Sequence, residues 1–123
     1  MSKVILIVDD DQQVRILLQR LLFESGYTTI TAADGRQGVE LAKTRKPDLI
    51  LMDIRMPVMD GVAALHIIKA ADATRNIPVV MLTVVADELH DKVTKRIGAD
   101  GYVTKPFTRE KLLDAISQFL PTS

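Results

Sequence analysis

Val4-Ile5-Leu6-Ile7-Val8-Asp9-Asp10-Asp11 decides how the rest of the chain is read. Five aliphatic residues run without a break and without alternation, which is the pattern of a strand covered on both faces. The run is far too short to span a membrane, and it stops in three acids with no small-residue cleavage site, so it is neither a span nor a leader. A strand covered on both faces belongs to a parallel sheet with helices above and below it.

Moving outward, Asp11 opens a helical stripe of Val14, Leu17, Leu18, Leu21 and Leu22, and Gly26 stops it. Thr28 to Ala32 reads as a second strand, and Gly35 to Arg45 as a helix ended by Pro47. Leu49 to Met52 is a third strand running into Asp53, and Asp60 to Ala71 carries Val62, Leu65 and Ile68 along one side. Val79 to Leu82 is a fourth strand. Asp87 to Ile97 reads as a thinly apolar helix with Leu89, Val93 and Ile97 in line. Gly101 to Val103 is a short fifth strand, and Thr108 to Leu120 closes the pattern as a helix. Five strands alternating with five helices give an α/β fold, a doubly wound parallel sheet with right-handed crossovers.

Composition agrees. The chain has 123 residues, enough for one domain and too few for two, so residues 1–123 are expected to form a single unit without a linker or output module. Hydrophobic residues make up 47%, a globular fraction. With no cysteine, disulfides and thiolate metal sites are excluded, which fits the cytoplasm, the default location. Sixteen basic residues balance sixteen acidic ones, so the basic excess of a nucleic-acid binder is missing.

Ligands of such sheets sit beyond the carboxyl ends of the strands. Asp9, Asp10 and Asp11 follow the first strand, Asp53 the third, Thr83 the fourth and Lys105-Pro106 the fifth. Clustered carboxylates repel by roughly 4 kcal/mol per pair at about 4 Å and need a counter-charge. Lys105 supplies one, and Mg²⁺ with oxygen ligands supplies another, whereas zinc would want His or Cys. An ionised Asp beside such charge is a nucleophile toward phosphorus, and Lys105 and Thr83 offer contacts for equatorial oxygens.

At this point the chain resembles the response-regulator receiver domains of two-component signalling. The resemblance is carried by Ile5 to Asp11, Pro47-Asp48-Leu49-Ile50-Leu51-Met52-Asp53, Met56-Pro57-Val58-Met59-Asp60-Gly61, Pro78 to Thr83, Gly98-Ala99 and Tyr102-Val103-Thr104-Lys105-Pro106-Phe107. It implies a flavodoxin-like sheet of strand order 2-1-3-4-5 and a phospho-accepting switch rather than a conventional turnover enzyme. Asp53 would be the phospho-acceptor. Asp10, Asp53 and the backbone carbonyl of Arg55 would hold Mg²⁺, with Asp9 near the metal through water. Lys105 would contact the phosphoryl oxygens and precede a cis peptide. Thr83 would move toward the phosphoryl group and Tyr102 would turn inward with it. The surface of the fourth helix, fifth strand and fifth helix would then change. The donor would be a phosphohistidine on a sensor histidine kinase or phosphotransfer protein, and the output contact with a downstream protein, away from nucleic acid and membrane. Val84 departs from the small residue usual after Thr83, and is expected to slow phosphorylation, dephosphorylation or both.

Plainer readings compete at several positions. Asp11 serves as a helix cap, and Asp60-Gly61 as a turn and helix start. His66 and His90 read as solvated. Gly35-Arg36-Gln37-Gly38 lacks dinucleotide spacing and a Walker lysine. Two other functions fit parts of the pattern. A haloacid-dehalogenase-like phosphohydrolase would use Asp9 and Asp11, but Gln13 stands where that pattern wants Thr or Val. An adaptor that is never phosphorylated would leave the acid, Thr and Lys set without a use.

Overall fold

The computed structural model describes residues 2–84 and 88–121, with the side chains of 88–91 outside the described residues. The elements are β1 (Val4–Val8), α1 (Gln12–Glu24), β2 (Thr28–Ala32), α2 (Gly35–Arg45), β3 (Leu49–Asp53), α3 (Gly61–Ala70), β4 (Val79–Val84), α4 (Glu88–Ile97), β5 (Gly101–Lys105) and α5 (Arg109–Ser117). All strand pairs are parallel, in the order β2-β1-β3-β4-β5. This is the expected doubly wound, flavodoxin-like sheet.

The unbroken strand runs split into two cores. Ile5 and Ile7, with Leu49, Leu51, Val80, Leu82 and Val103, face α1 and α5. Leu6 and Val8, with Ile50, Met52, Val79 and Met81, pack on the other face against α2 and α3. Side chains that alternate across a strand while both sets are buried produce a run with no polar beat.

Three strands outlast their apolar runs. Asp53 pairs with Leu82, Thr83 with Thr104 and Val84 with Lys105, so the polar residues lie inside the ladder. The sheet continues through them because backbone hydrogen bonding ignores side-chain polarity. The helix starts follow capping rules. The carboxylates of Asp11, Asp34 and Asp60 accept the backbone N–H of Gln13, Gln37 and Ala63. That accounts for Asp11 and Asp60, and it makes Gly35 to Gly38 an ordinary helix start.

Two helices differ from the sequence reading. In α4, Val93 is exposed while Thr94 is fully buried, its Oγ1 lying 2.9 Å from the Tyr102 hydroxyl. A partnered hydroxyl can be buried, so the polar residue takes the inner face that the apolar line had reserved for Val93. Asp87 lies outside the described residues, as do the side chains of Leu89 and His90. In α5 the helix ends at Ser117, and a turn carries Leu120 back into the core. In α1, Leu18 and Leu22 are buried but Leu17 is only about half covered. His66 is exposed, as read.

Candidate functional site: a carboxylate cluster with one lysine

The carboxyl ends of β1, β3, β4 and β5 bring Asp9, Asp10, Asp53, Thr83 and Lys105 to one edge. Carboxylate oxygens of Asp9, Asp10 and Asp53 all lie within 4.8 Å of one another. Asp9 is fully buried, Asp53 nearly so, and Asp10 exposed. Like charges at that separation repel by about 3–4 kcal/mol per pair at an effective dielectric of 20. The Lys105 ammonium answers part of this, donating to Asp9 Oδ2 at 2.9 Å and to Asp53 Oδ1 at 3.1 Å.

Asp9 is occupied on both oxygens, because Oδ1 accepts the Asp11 backbone N–H at 2.9 Å. Buried and doubly bonded, it is a structural anchor for Lys105 rather than an accessible nucleophile, which weighs against the hydrolase reading. Asp53 differs. Its Oδ1 accepts from Lys105 and from the Ile54 N–H at 3.0 Å, whereas Oδ2 has no protein partner among the described residues. Burial, reinforced by the Asp9 charge, raises the Asp53 pKa to about 6, against the lowering pull of Lys105. For Lys105, burial favours the neutral amine. The hydrogen bond to Asp9 and the charges of Asp53 and Asp9 outweigh it, so the pKa is raised and the ammonium persists.

A cavity of about 190 Å³ opens over Asp53, lined also by Ile54, Arg55, Leu82, Thr83, Val84 and Lys105. The Thr83 hydroxyl donates to the Val84 carbonyl at 3.3 Å, a long bond for an O–H donor. Tyr102 pairs with Met81 across the β4–β5 ladder, so Tyr102 and Thr83 share a face of the sheet. The Lys105-Pro106 peptide is cis, as the resemblance implies.

The β3–α3 loop is pinned to the site through backbone. The Gly61 N–H donates to the Ile54 carbonyl at 2.7 Å, and a Cβ at Gly61 would fall 2.0 Å from the Asp53 carbonyl oxygen. Only glycine lets the start of α3 come this close to the strand carrying Asp53. Sequence reasoning missed Arg15, whose guanidinium donates to the Asp9 carbonyl at 2.8 Å, and Thr94, the partner of Tyr102. Neither carried a signal, since both read as helix surface positions.

The donor set fits a hard divalent cation. Three carboxylates cluster here, two of them paired with the Lys105 ammonium, every candidate ligand atom is oxygen, and this is the only such group among the described residues. No helix among the described residues is long and apolar enough to cross a membrane.

Comparison with known proteins shows the family. The chemotaxis protein CheY of Halobacterium salinarum is 42% identical over 120 residues, spanning 98% of each chain. The alkaline phosphatase synthesis transcriptional regulatory protein PhoP of Bacillus subtilis is 37% identical over 123 residues, and the chain spans only half of it. A receiver domain of a sensor histidine kinase from Pseudomonas aeruginosa, solved with a magnesium ion coordinated in its active site cleft, superposes with a TM-score of 0.89. It is 32% identical and covers 97% of this chain and 98% of its own. The response regulator receiver domain model matches residues 5–117, and with the two-sided parallel sheet and its acidic edge this chain belongs to that family.

Proposed function

We propose that Asp53 accepts a phosphoryl group from a phosphohistidine on a sensor histidine kinase or phosphotransfer protein. The observation that carries the reading is the asymmetry of Asp53, which lines the cavity with Oδ1 held by Lys105 and the Ile54 N–H and with no hydrogen-bond partner for Oδ2 among the described residues. In the proposed step, Oδ2 forms a bond to phosphorus as the phosphorus–nitrogen bond breaks, and the electron pair leaves with the imidazole nitrogen. Lys105 and the Thr83 hydroxyl then contact the phosphoryl oxygens.

Asp10, Asp53 and the backbone carbonyl of Arg55 would hold Mg²⁺, with Asp9 reaching it through a water. A cation there supplies positive charge against the oxygens of the transferred group. The charge imbalance of the cluster supports this assignment, and the magnesium in the Pseudomonas relative is consistent with it.

The proposed switch uses the shared sheet face. Thr83 exchanges its long bond to the Val84 carbonyl for a phosphoryl oxygen, and Tyr102 moves into the space Thr83 leaves. The Tyr102 hydroxyl is tied to Thr94 of α4, so its movement reaches the surface of α4, β5 and α5, where a downstream protein would bind. A cytoplasmic location belongs to the same proposal.

The test is calorimetric titration with Mg²⁺, then with beryllofluoride as a phosphoryl mimic. Wild type should bind both, Asp10→Asn should bind Mg²⁺ at least tenfold more weakly, and Asp53→Asn should not form the fluoride complex. Wild type that binds neither would favour the unphosphorylated adaptor.

A further inference from the structure

Asp10 is the exposed member of the carboxylate cluster, and its side chain makes no hydrogen bond among the described residues. Its direction is therefore set by the main chain on either side. The Asp10–Asp11 peptide is fixed through its N–H, which donates to Asp9 Oδ1 at 2.9 Å. The Asp9–Asp10 peptide is fixed through its carbonyl, which accepts from Arg15 Nη1 at 2.8 Å. Arg15 reaches that carbonyl because of its place in α1. Asp11 caps the helix and its carbonyl accepts the Arg15 N–H at 3.0 Å, so Arg15 stands one turn in. Helical side chains lean toward the N-terminus, and a long guanidinium at this position reaches back over the cap to the end of β1. The bond is partly buried, and the donor is a charged, planar group of fixed direction.

Resting on the reading that Asp10 and Asp53 hold Mg²⁺, we propose that Arg15 is a positioning residue for the cation site. It locks the Asp9–Asp10 peptide, and so keeps the Asp10 carboxylate within reach of Asp53 against the repulsion between the two charges. Arg15 acts through the Asp9 carbonyl and is no ligand itself. Its own charge works in the opposite direction, since a guanidinium near the cluster repels an incoming cation. The two effects therefore differ in sign. Charge alone makes removal of Arg15 tighten Mg²⁺ binding, whereas loss of the peptide lock weakens it. A tie that merely joins α1 to β1 leaves the affinity of a folded variant where it was.

The experiment is a Mg²⁺ titration followed by amide chemical shifts, which also report whether each variant is folded. Wild type, Arg15→Met, Arg15→Lys, Asp10→Asn and the Arg15→Met, Asp10→Asn double variant are compared. Arg15→Met should bind Mg²⁺ about tenfold more weakly, the effect of losing a group that orients a ligand. Arg15→Lys keeps the charge and one donor, so it should lose less; it serves in the same cycle if the methionine variant folds poorly. In the Asp10→Asn background, Arg15→Met should change the affinity by less than about twofold, because the carboxylate it positions is gone. Unchanged or tighter binding in folded Arg15→Met would overturn the assignment, as would an equal loss in both backgrounds, while leaving the cation reading intact. Wild type that does not bind Mg²⁺ would overturn that reading and this inference with it.

Discussion

The Lys105 ammonium lies 3.1 Å from Oδ1 of Asp53, across 52 residues of sequence, and the same nitrogen holds Asp9 at 2.9 Å. One cation therefore serves a fully buried acid and the acid over the cavity. That division of labour sets different consequences for each partner.

Replacing Lys105 by Met leaves the buried Asp9 carboxylate with the Asp11 N–H alone. Removing one partner of a buried ion pair typically costs 3–5 kcal/mol, and the partial exposure of Lys105 reduces this to about 2–3 kcal/mol. Urea unfolding in chelator at pH 7 should show that loss. Added Mg²⁺ should recover part of it, since a ligand bound only by the native state stabilises it. Modification by small phosphoryl donors should fall steeply in the same variant.

Asp53 gives a pH signature. Its pKa is raised from 3.8 to about 6 in the folded protein, so the fold takes up a proton more readily than the unfolded chain does. The stabilisation is complete below about pH 4 and is lost as pH rises through about 6. Asp53→Asn carries no such penalty. Measured in chelator, it should be more stable than wild type by about 1–3 kcal/mol above pH 7, at 1.36 kcal/mol per pKa unit and allowing for the lost attraction to Lys105. The gap should close as pH falls toward 4, and a gap independent of pH would show that ionisation of Asp53 is not its cause.

Val58 stores strain in the loop between β3 and α3. The Met59 N–H donates to the Pro57 carbonyl at 2.7 Å, a three-residue turn with Val58 at its centre at φ 68, a conformation that branched residues rarely adopt. Val58 is 78% exposed, so its side chain contributes little packing. Val58→Gly should raise stability by about 0.5–1 kcal/mol, the relief of left-handed strain less the flexibility gained by the unfolded chain. Thermal melts of the two proteins decide it.

Much of this fold was readable because both faces of the sheet are covered. The Val4 to Val8 and Leu49 to Met52 runs show no alternation for that reason, and the acids and lysine that end the strands converge at the edge the topology dictates. Strand ends were less legible. Thr83, Val84, Thr104 and Lys105 belong to the ladder through backbone bonds that leave no mark on side-chain pattern. The inner face of α4 was misread because Thr94 is buried with its hydroxyl against that of Tyr102, a pairing that exists only once β5 lies alongside. Arg15 and the Val58 turn act through backbone atoms, which hydrophobic periodicity does not report.

The most direct measurement is to incubate the protein with Mg²⁺ and acetyl phosphate, weigh the intact chain and map the modified peptide. The account predicts one phosphoryl group, on the peptide carrying Asp53, absent in Asp53→Asn and absent in chelator. Label on the peptide carrying Asp9 and Asp11, or no label from a protein that binds Mg²⁺, would contradict it.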